Sequence, residues 1–368
     1  MIFHVLAIPI HPTRKEITLC AFTQKVYKFC KIMTKKGHTV FHYGHPDSDV
    51  PCTQHFNVVS RATYEEVYKK QSWKNFLTQS IKNKVHEEFN KNATPLIKKN
   101  KQSKNDFVLA FWGIGHRPCC DELVEDFTIV EPSIGYDSAF APFKVFESYA
   151  QLHKLHFKMY GESSCPRFTD HVIRPGFYFE DFCYEERKED YLLFLGRMID
   201  NKGIEIAQNL SKAFSIPIKF VGPQNLKNNL KKDNPLAEYI HTVSNNERKK
   251  LLANAKALIM PSLYSEPCGW AMLEAFISGT PVLSTDWGGL AEYNIHGQTG
   301  FRCRSLNEFY HALGIIDNIK PSFCREYAEE NFTISLVARM YENYFTHLTL
   351  AAEYGIGAVF EKCNFLVK

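Results

Sequence analysis

At 368 residues the chain is too long for one ordinary hydrophobic core, so two domains are expected. Apolar residues make up 45% and charged residues 23%, the balance of a globular protein. A net charge of +4 is small for this length and argues against nucleic acid as a partner. Eleven cysteines, an odd number without a Cys-x-x-Cys pair, argue against a disulfide framework and for a reducing compartment.

The chain opens on an apolar stretch that lacks a basic leader, so Ile2 to Ile8 reads as a first strand rather than a signal peptide. A loop from His11 to Ile17 leads to a helix near Leu19 to Lys36, ended by Gly37, and His38 to Tyr43 is a second strand. This βαβ opening implies a parallel sheet. The helix carries Lys25, Lys28, Lys31, Lys35 and Lys36, which suit either a solvated face or a helix lying on a membrane surface. His38, His42 and His45 lack an acidic or cysteine partner at ligand spacing, so no metal is expected there.

Asn57 to Arg61 closes a third strand region, and residues 63–104 are helical in pattern. Phe107 to Phe111 is a strand whose end leads into Trp112-Gly113-Ile114-Gly115-His116-Arg117. Thr128 to Val130 is the next strand, ending in Glu131-Pro132-Ser133-Ile134-Gly135. Phe143 to Tyr160 reads as a helix, and the charged bridge from Asp181 to Asp190 is the natural boundary. The division expected is 1–182 for a first Rossmann-like domain, 183–335 for a second, and 336–368 for a helical segment returning toward the first.

The second half restarts the alternation. Tyr191 to Leu195 is a strand, followed by the polar loop Gly196 to Gly203 and a helix from Ile204 to Phe214. Ile218 to Val221 is a strand ending in Gly222-Pro223, and Glu247 to Ala255 is a helix. Ala257 to Met260 is a strand ending in Pro261-Ser262. Then comes the densest stretch, Ser265 to Phe301. In it Glu266 precedes a helix and Glu274 lies inside one, and Met272, Leu273, Phe276 and Ile277 mark its buried face. Gly279 stops that helix, Thr280 to Leu283 is a strand, and the turn Trp287-Gly288-Gly289 follows. From Asn307 onward the pattern is helical, interrupted by Gly355 and Gly357.

In a parallel sheet these loops gather at the carboxyl ends of the strands, where such folds bind ligands. Arg197 and Lys202 suit a diphosphate, since a guanidinium binds phosphate oxygens in pairs and an ammonium adds a point charge. Backbone N–H groups near Cys268 and Gly269, at a helix start, can donate to an anion or to hydroxyls. Glu266 and Glu274 can accept from vicinal hydroxyls, as a sugar and a ribose offer them. The set describes a nucleotide-diphosphate sugar better than a bare nucleotide. The phosphate loop of ATPases and the glycine fingerprint of dehydrogenases are both missing. Gly288 and Gly289 can equally be a turn requirement, and Trp112 and Trp287 can be wall as well as sugar platform.

Glu266-Pro267-Cys268-Gly269 through Leu273-Glu274-Ala275, then Gly279-Thr280-Pro281-Val282 and Gly288-Gly289 with Glu292, resembles the signature of the GT4 family of retaining glycosyltransferases. Phe194-Leu195-Gly196-Arg197 with Lys202-Gly203, and Val221-Gly222, resembles the start of that family's donor domain. The resemblance covers roughly residues 190–345. It implies an α/β chain of the GT-B fold, two Rossmann-like doubly wound domains facing across a deep cleft, with a C-terminal helix packing back on the first. It implies a hexose moved from a nucleotide-diphosphate sugar such as a UDP- or GDP-sugar to a carbohydrate, lipid-linked or protein acceptor, without metal or cofactor. Arg197 and Lys202 would hold the diphosphate, Glu266 the transferred sugar and Glu274 the ribose. Gly196, Gly222, Pro261, Ser262, Tyr264, Pro267, Cys268, Gly269 and Trp270 would line the donor site. Relatives often place a histidine near the sugar after a strand of the first domain; His116 is one candidate for that position, and alignment by strand order puts Glu131 there instead. Arg14-Lys15-Glu16-Ile17-Thr18 stands where relatives have a glycine pair, and Arg174-Pro175-Gly176 where they have Pro-Asn-Gly. A sugar phosphorylase, an epimerase or a non-catalytic nucleotide-sugar-binding subunit on the same fold are the alternatives. A cytoplasmic location is expected, with contact at the inner face of a membrane left open, as is the oligomeric state.

Overall fold

A computed structural model describes residues 1–18, 20–68, 80–161, 166–223, 234–241 and 243–354. The chain forms two compact units. One comprises Met1–Glu147, Leu152–Gly176 and the stretch from Ile334; the other comprises Ser148–Gln151 and Phe177–Thr333.

The first unit begins β1 (Ile2–Leu6), α1 (Ala21–Lys35), β2 (Thr39–Gly44), β3 (Gln54–Asn57), α2 (Arg61–Tyr68) and α3 (Lys84–Lys99). It continues β4 (Phe107–Ala110), α4 (Arg117–Asp121), β5 (Thr128–Ile134), β6 (Phe143–Phe146), α5 (Tyr149–Tyr160) and β7 (His171–Val172). The strands form one parallel sheet in the order β3-β2-β1-β4-β5-β6-β7. Apolar strands such as β4, with every residue buried, are what a sheet covered on both faces requires.

The second unit runs β8 (Leu192–Leu195), α6 (Ile204–Phe214), β9 (Ile218–Val221), β10 (Ala237–Ile240), α7 (Asn245–Asn254), β11 (Ala257–Met260) and α8 (Trp270–Ile277). Then follow β12 (Val282–Thr285), α9 (Gly288–Tyr293), β13 (Gly300–Cys303), α10 (Leu306–Gly314) and α11 (Pro321–Phe332). Its sheet is also parallel, in the order β10-β9-β8-β11-β12-β13. The long α12 (Ile334–Tyr354) returns to the first unit. There Phe345 packs 4.7 Å from Phe3, and Tyr341 packs 5.4 Å from Phe29 of α1, centroid to centroid.

The structure differs from the sequence reading in five places. Phe143 to Phe146 is a strand, with the helix starting only at Tyr149, because four residues are too few for a period that separates the two states. The stretch from Glu131 to Ile134 is strand rather than loop, with a register shift between those residues against β6. Strands β10 and β13 have no counterpart in the reading, being four-residue edge segments. The unit boundary falls at Gly176/Phe177 rather than after residue 182. The Phe177 N–H donates to the Phe332 carbonyl at 2.8 Å, and its ring joins the second core. The second crossing is at Thr333/Ile334 rather than after residue 335. The expectations placed on Leu19, on residues 69–79 and on Gly355 and Gly357 lie outside the described residues. Among the described residues no helix is long and apolar enough to cross a membrane.

Candidate functional site

In the second sheet the chain leaves β8 toward β9 on one side and later returns to β11 on the other. The loops after β8 and β11 therefore diverge, the arrangement that opens a ligand crevice at strand carboxyl ends. Two glycines draw these loops together. Gly203, at φ 71°, sits so close to the end of β11 that a Cβ would lie 2.1 Å from the Pro261 carbonyl oxygen. Gly222, after β9, would place one 2.0 Å from the Gly196 carbonyl oxygen. The Leu263 N–H donates to Asn201 O at 2.8 Å, and the Met198 N–H to Pro223 O at 2.9 Å, tying the same segments.

That packing brings charged groups onto one spot. Lys202, in a 3-10 turn, forms an ion pair with Glu266. Glu266 is buried and also accepts from the Ser262 hydroxyl at 2.7 Å. The Lys202 ammonium lies 5.0 Å from the centroid of the Tyr264 ring. Burial, the Glu266 charge and a hydrogen bond to that carboxylate push the Tyr264 phenol up, while Arg197 pulls it back. Tyr264 is thus a donor to Glu266 with Arg197 close by, and Arg197 itself is exposed.

The turn behind Glu266 is clamped by Gly288 and Gly289. A Cβ on Gly288, at φ 62°, would stand 2.8 Å from the Glu266 carbonyl oxygen, and one on Gly289 2.6 Å from Cys268 Cα. The Gly289 N–H donates to Glu266 O at 2.8 Å. The glycine pair is therefore needed for close approach as well as for a turn. Trp287 is a strut: its indole N–H donates to the carbonyls of Ser262 (3.0 Å) and Tyr264 (3.2 Å). Residues 148–151 complete this unit. The Ser148 hydroxyl donates to Pro267 O, and the Ala150 N–H donates to Glu292 at 3.1 Å. Cys268 is buried. Gly269, at φ 86°, begins α8, whose first turn has no side-chain cap. Trp270 packs edge-on against Phe177 with 5.3 Å between centroids.

Glu274, one turn into α8, is paired with Arg248 of α7. Arg248 has no place in the sequence reading. Its position just past a Ser244–Glu247 capping box marks a helix start, but nothing in the spacing links it to a residue on another helix.

The two first-unit candidates are engaged elsewhere. The imidazole of His116 is wholly buried. It donates from Nε2 to Ala7 O at 2.9 Å and accepts at Nδ1 from the Trp112 N–H at 3.3 Å. Burial pushes it down to about 3, so it is neutral at ordinary pH. Glu131 is equally buried and accepts from the Tyr136 hydroxyl (2.7 Å) and the N–H groups of Phe140 (2.9 Å) and Ala141 (3.1 Å). Burial raises its carboxyl, and those donors oppose the rise. Both residues tie backbone segments together. Trp112 is core, donating to His86 at 3.0 Å. Arg14 donates to the Asp47 carbonyl at 3.2 Å and pairs with Glu16. Among the described residues no His, Cys, Asp and Glu cluster could hold a metal ion.

Residues 182–315, most of the second unit, match the family model described as glycosyl transferases group 1. A 65-residue stretch is 42% identical to glycogen synthase of Mycobacterium tuberculosis (strain ATCC 25618 / H37Rv), covering 18% of this chain and 16% of that protein. The match thus spans under a fifth of the length of that curated relative. The crystal structure of AviGT4, a glycosyltransferase involved in avilamycin A biosynthesis, superposes with a TM-score of 0.65 at 20% identity over 94% of this chain and 97% of that one. Anabaena HepE, solved in complex with UDP-glucose, superposes with a TM-score of 0.64 at 12% identity over 94% and 100%. The fold is that of the GT-B glycosyltransferases.

Proposed function

We propose that this chain is a retaining, metal-independent glycosyltransferase that moves a hexose from a nucleotide-diphosphate sugar to a carbohydrate, lipid or protein acceptor. One observation carries the reading: Lys202, Tyr264 and Glu266 meet at the diverging strand ends of the second sheet with Arg197 beside them.

In this reading the diphosphate binds against Arg197 and Lys202. Donor binding shares the Lys202 ammonium between Glu266 and a phosphate oxygen, and the carboxylate of Glu266 then accepts from hydroxyls of the hexose. Glu274 accepts from the ribose hydroxyls, and the loops after β9 and β11, at Gly222 and Pro261 to Tyr264, meet the base. The acceptor oxygen attacks the anomeric carbon on the face from which the diphosphate leaves. The bond to the diphosphate breaks, the glycosidic bond forms, and the acceptor proton passes to the departing phosphate oxygen. The two fixed cations stabilise the charge that develops there. No side-chain nucleophile takes part, and His116 and Glu131 stay with their structural partners.

The test is incubation with labelled UDP-, GDP- and ADP-hexoses and a panel of acceptors, starting with UDP-glucose because HepE was solved with it. The expected result is transfer that survives a chelator, with the donor's anomeric configuration in the product. Glu274→Ala should raise the donor KM. Product formed without acceptor, turnover that needs inorganic phosphate, or donor binding without turnover across the panel would each overturn the reading.

A further inference from the structure

We propose that the exposed face of α5, together with Pro166 to Phe168, docks on the surface of an anionic lipid bilayer. Phe168 is 75% exposed, Phe157 58% and Tyr160 43%. Single exposed apolar residues are ordinary on a protein surface, but several large rings on one short stretch are not. Phe157 and Tyr160 are three residues apart on a helix and share a face. The guanidinium of Arg167 lies 5.5 Å from the Tyr160 ring centroid, so the residue next to Phe168 packs on this helix.

Among the described residues, cations outnumber anions around these rings. The helix α5 carries Lys154 and Lys158 and no acidic residue, and Arg167 adds a third cation. Asp137 offsets one of them: it pairs with Lys154 at 2.7 Å, and its carbonyl accepts from Lys158 at 2.9 Å. Aromatic rings that stand out from a helix among basic side chains suit the boundary between headgroups and acyl chains. A bilayer asks for no shape complementarity, which fits rings on a convex helix face better than a protein partner does.

The basic first helix is a poorer candidate. Lys25 of α1 is buried, donating to Glu147 at 2.9 Å and to Ser133 O at 3.0 Å, and Lys28 and Lys31 are half-buried.

The test is co-sedimentation of the full chain with phosphatidylcholine vesicles and with vesicles that also contain phosphatidylglycerol. Binding is expected only to the anionic vesicles, and added salt should weaken it. The Phe157→Ser/Phe168→Ser and Lys158→Glu/Arg167→Glu variants should each lower the bound fraction about tenfold while keeping the wild-type melting curve. Lys35→Glu, on the exposed end of α1, should bind like the wild type. Absence of binding to the anionic vesicles, binding that survives both double variants, or a Lys35→Glu loss as large as theirs would overturn the proposal. Self-association without lipid that Phe168→Ser abolishes would assign the face to a second copy and overturn it too.

Discussion

The two units use polar residues in opposite ways. In the second, charged side chains on strand-end loops and on neighbouring helices are held in ion pairs that a ligand could enter, Lys202 with Glu266 and Arg248 with Glu274. In the first, polar groups are sunk into the core, where many of them bond one another. His4 bonds Tyr43 (2.9 Å) and Asp106 (3.2 Å), His42 bonds His55 (2.7 Å) and Thr13 (2.9 Å), and Lys25 pairs with Glu147. The buried histidines, His4, His11, His42, His45, His86, His116 and His156, all lie in the first unit. A titratable residue at a strand end is therefore not a site by itself. What separates the two cases is burial: Lys202 keeps 18% of its side chain exposed, against 4% for Lys25 and none for His4.

Glycine is where this contrast can be broken hardest. Gly203→Ala in the second unit puts a methyl 2.1 Å from a backbone carbonyl and also requires φ 71° of an L-residue. A backbone carbonyl at a strand end cannot swing aside as a side-chain tip can. The expected cost is at least about 3 kcal/mol, with the loop of Lys202 displaced and activity lost. Gly37→Ala in the first unit has the same sign of φ, 85°, but nothing within 4 Å of the new methyl. It should cost only about 1–2 kcal/mol. Equal melting-point losses in the two variants would show that close packing does not hold the candidate site together.

Next in size is the chemistry itself. Arg197→Ala removes an exposed cation, so the melting point should hold. The turnover number should fall about 100- to 1,000-fold, the range for losing one group that stabilises developing charge. His116→Gln should do the reverse, lowering the melting point by unpicking the Ala7 and Trp112 contacts while leaving the turnover of the folded fraction alone. Kinetics at a temperature well below both melting points would distinguish the two.

Much of this contrast is legible in the sequence for the second unit and little of it for the first. The spans of α6, β9 and β11 read from the residues match the structure, because each is ended by a clear stop, Ser215, Gly222 and Pro261. Lys202 and Glu266 are also legible as candidates, but the sequence groups Lys202 with Arg197 and Glu266 with Glu274, and only the fold pairs Lys202 with Glu266. In the first unit Phe143 to Phe146 reads as helix, and His116 and Glu131 read as chemistry. A four-residue run has no usable period, and no local pattern tells a buried, satisfied imidazole from a poised one. Arg248 escapes for a third reason: its partner Glu274 is on another helix, and only the fold joins them.

A smaller, graded effect is expected from pH. Burial pushes His11, His45 and His86 down to about 4 from the usual 6.5. The nearness of His45 adds to the fall of His11; for His45 the Asp47 carboxylate opposes the fall and Arg61 adds to it. Between pH 6.5 and about 4 the unfolded chain binds protons that the folded chain refuses. Stability is then complete above 6.5 and is lost as pH falls through that window, by up to about 1.4 kcal/mol per pH unit for each such group. In the second unit the described histidines, His241, His296 and His311, are exposed. Hydrogen exchange at pH 7 and pH 5 should therefore show protection falling in β1 and β2 and holding in β8 and β11. Parallel losses in both sheets would remove the distinction.

The finest probe is Arg248, because it asks whether the second unit's ion pairs serve a ligand or only the fold. If the guanidinium merely braces α7 against α8, Arg248→Ala should lower the melting point slightly and leave kinetics unchanged, as a partly exposed pair contributes at most about 1 kcal/mol. If instead it orients the Glu274 carboxylate for a ribose, the donor KM should rise about 5- to 10-fold with the turnover number intact, since the group acts on binding and not on the leaving diphosphate. Arg248→Lys keeps the charge but not the planar fork, so it should recover only part of the affinity. In the Glu274→Ala background Arg248→Ala should add almost nothing, because the carboxylate through which it acts is already gone. Additive losses in that double variant would mean that Arg248 reaches the donor by another route.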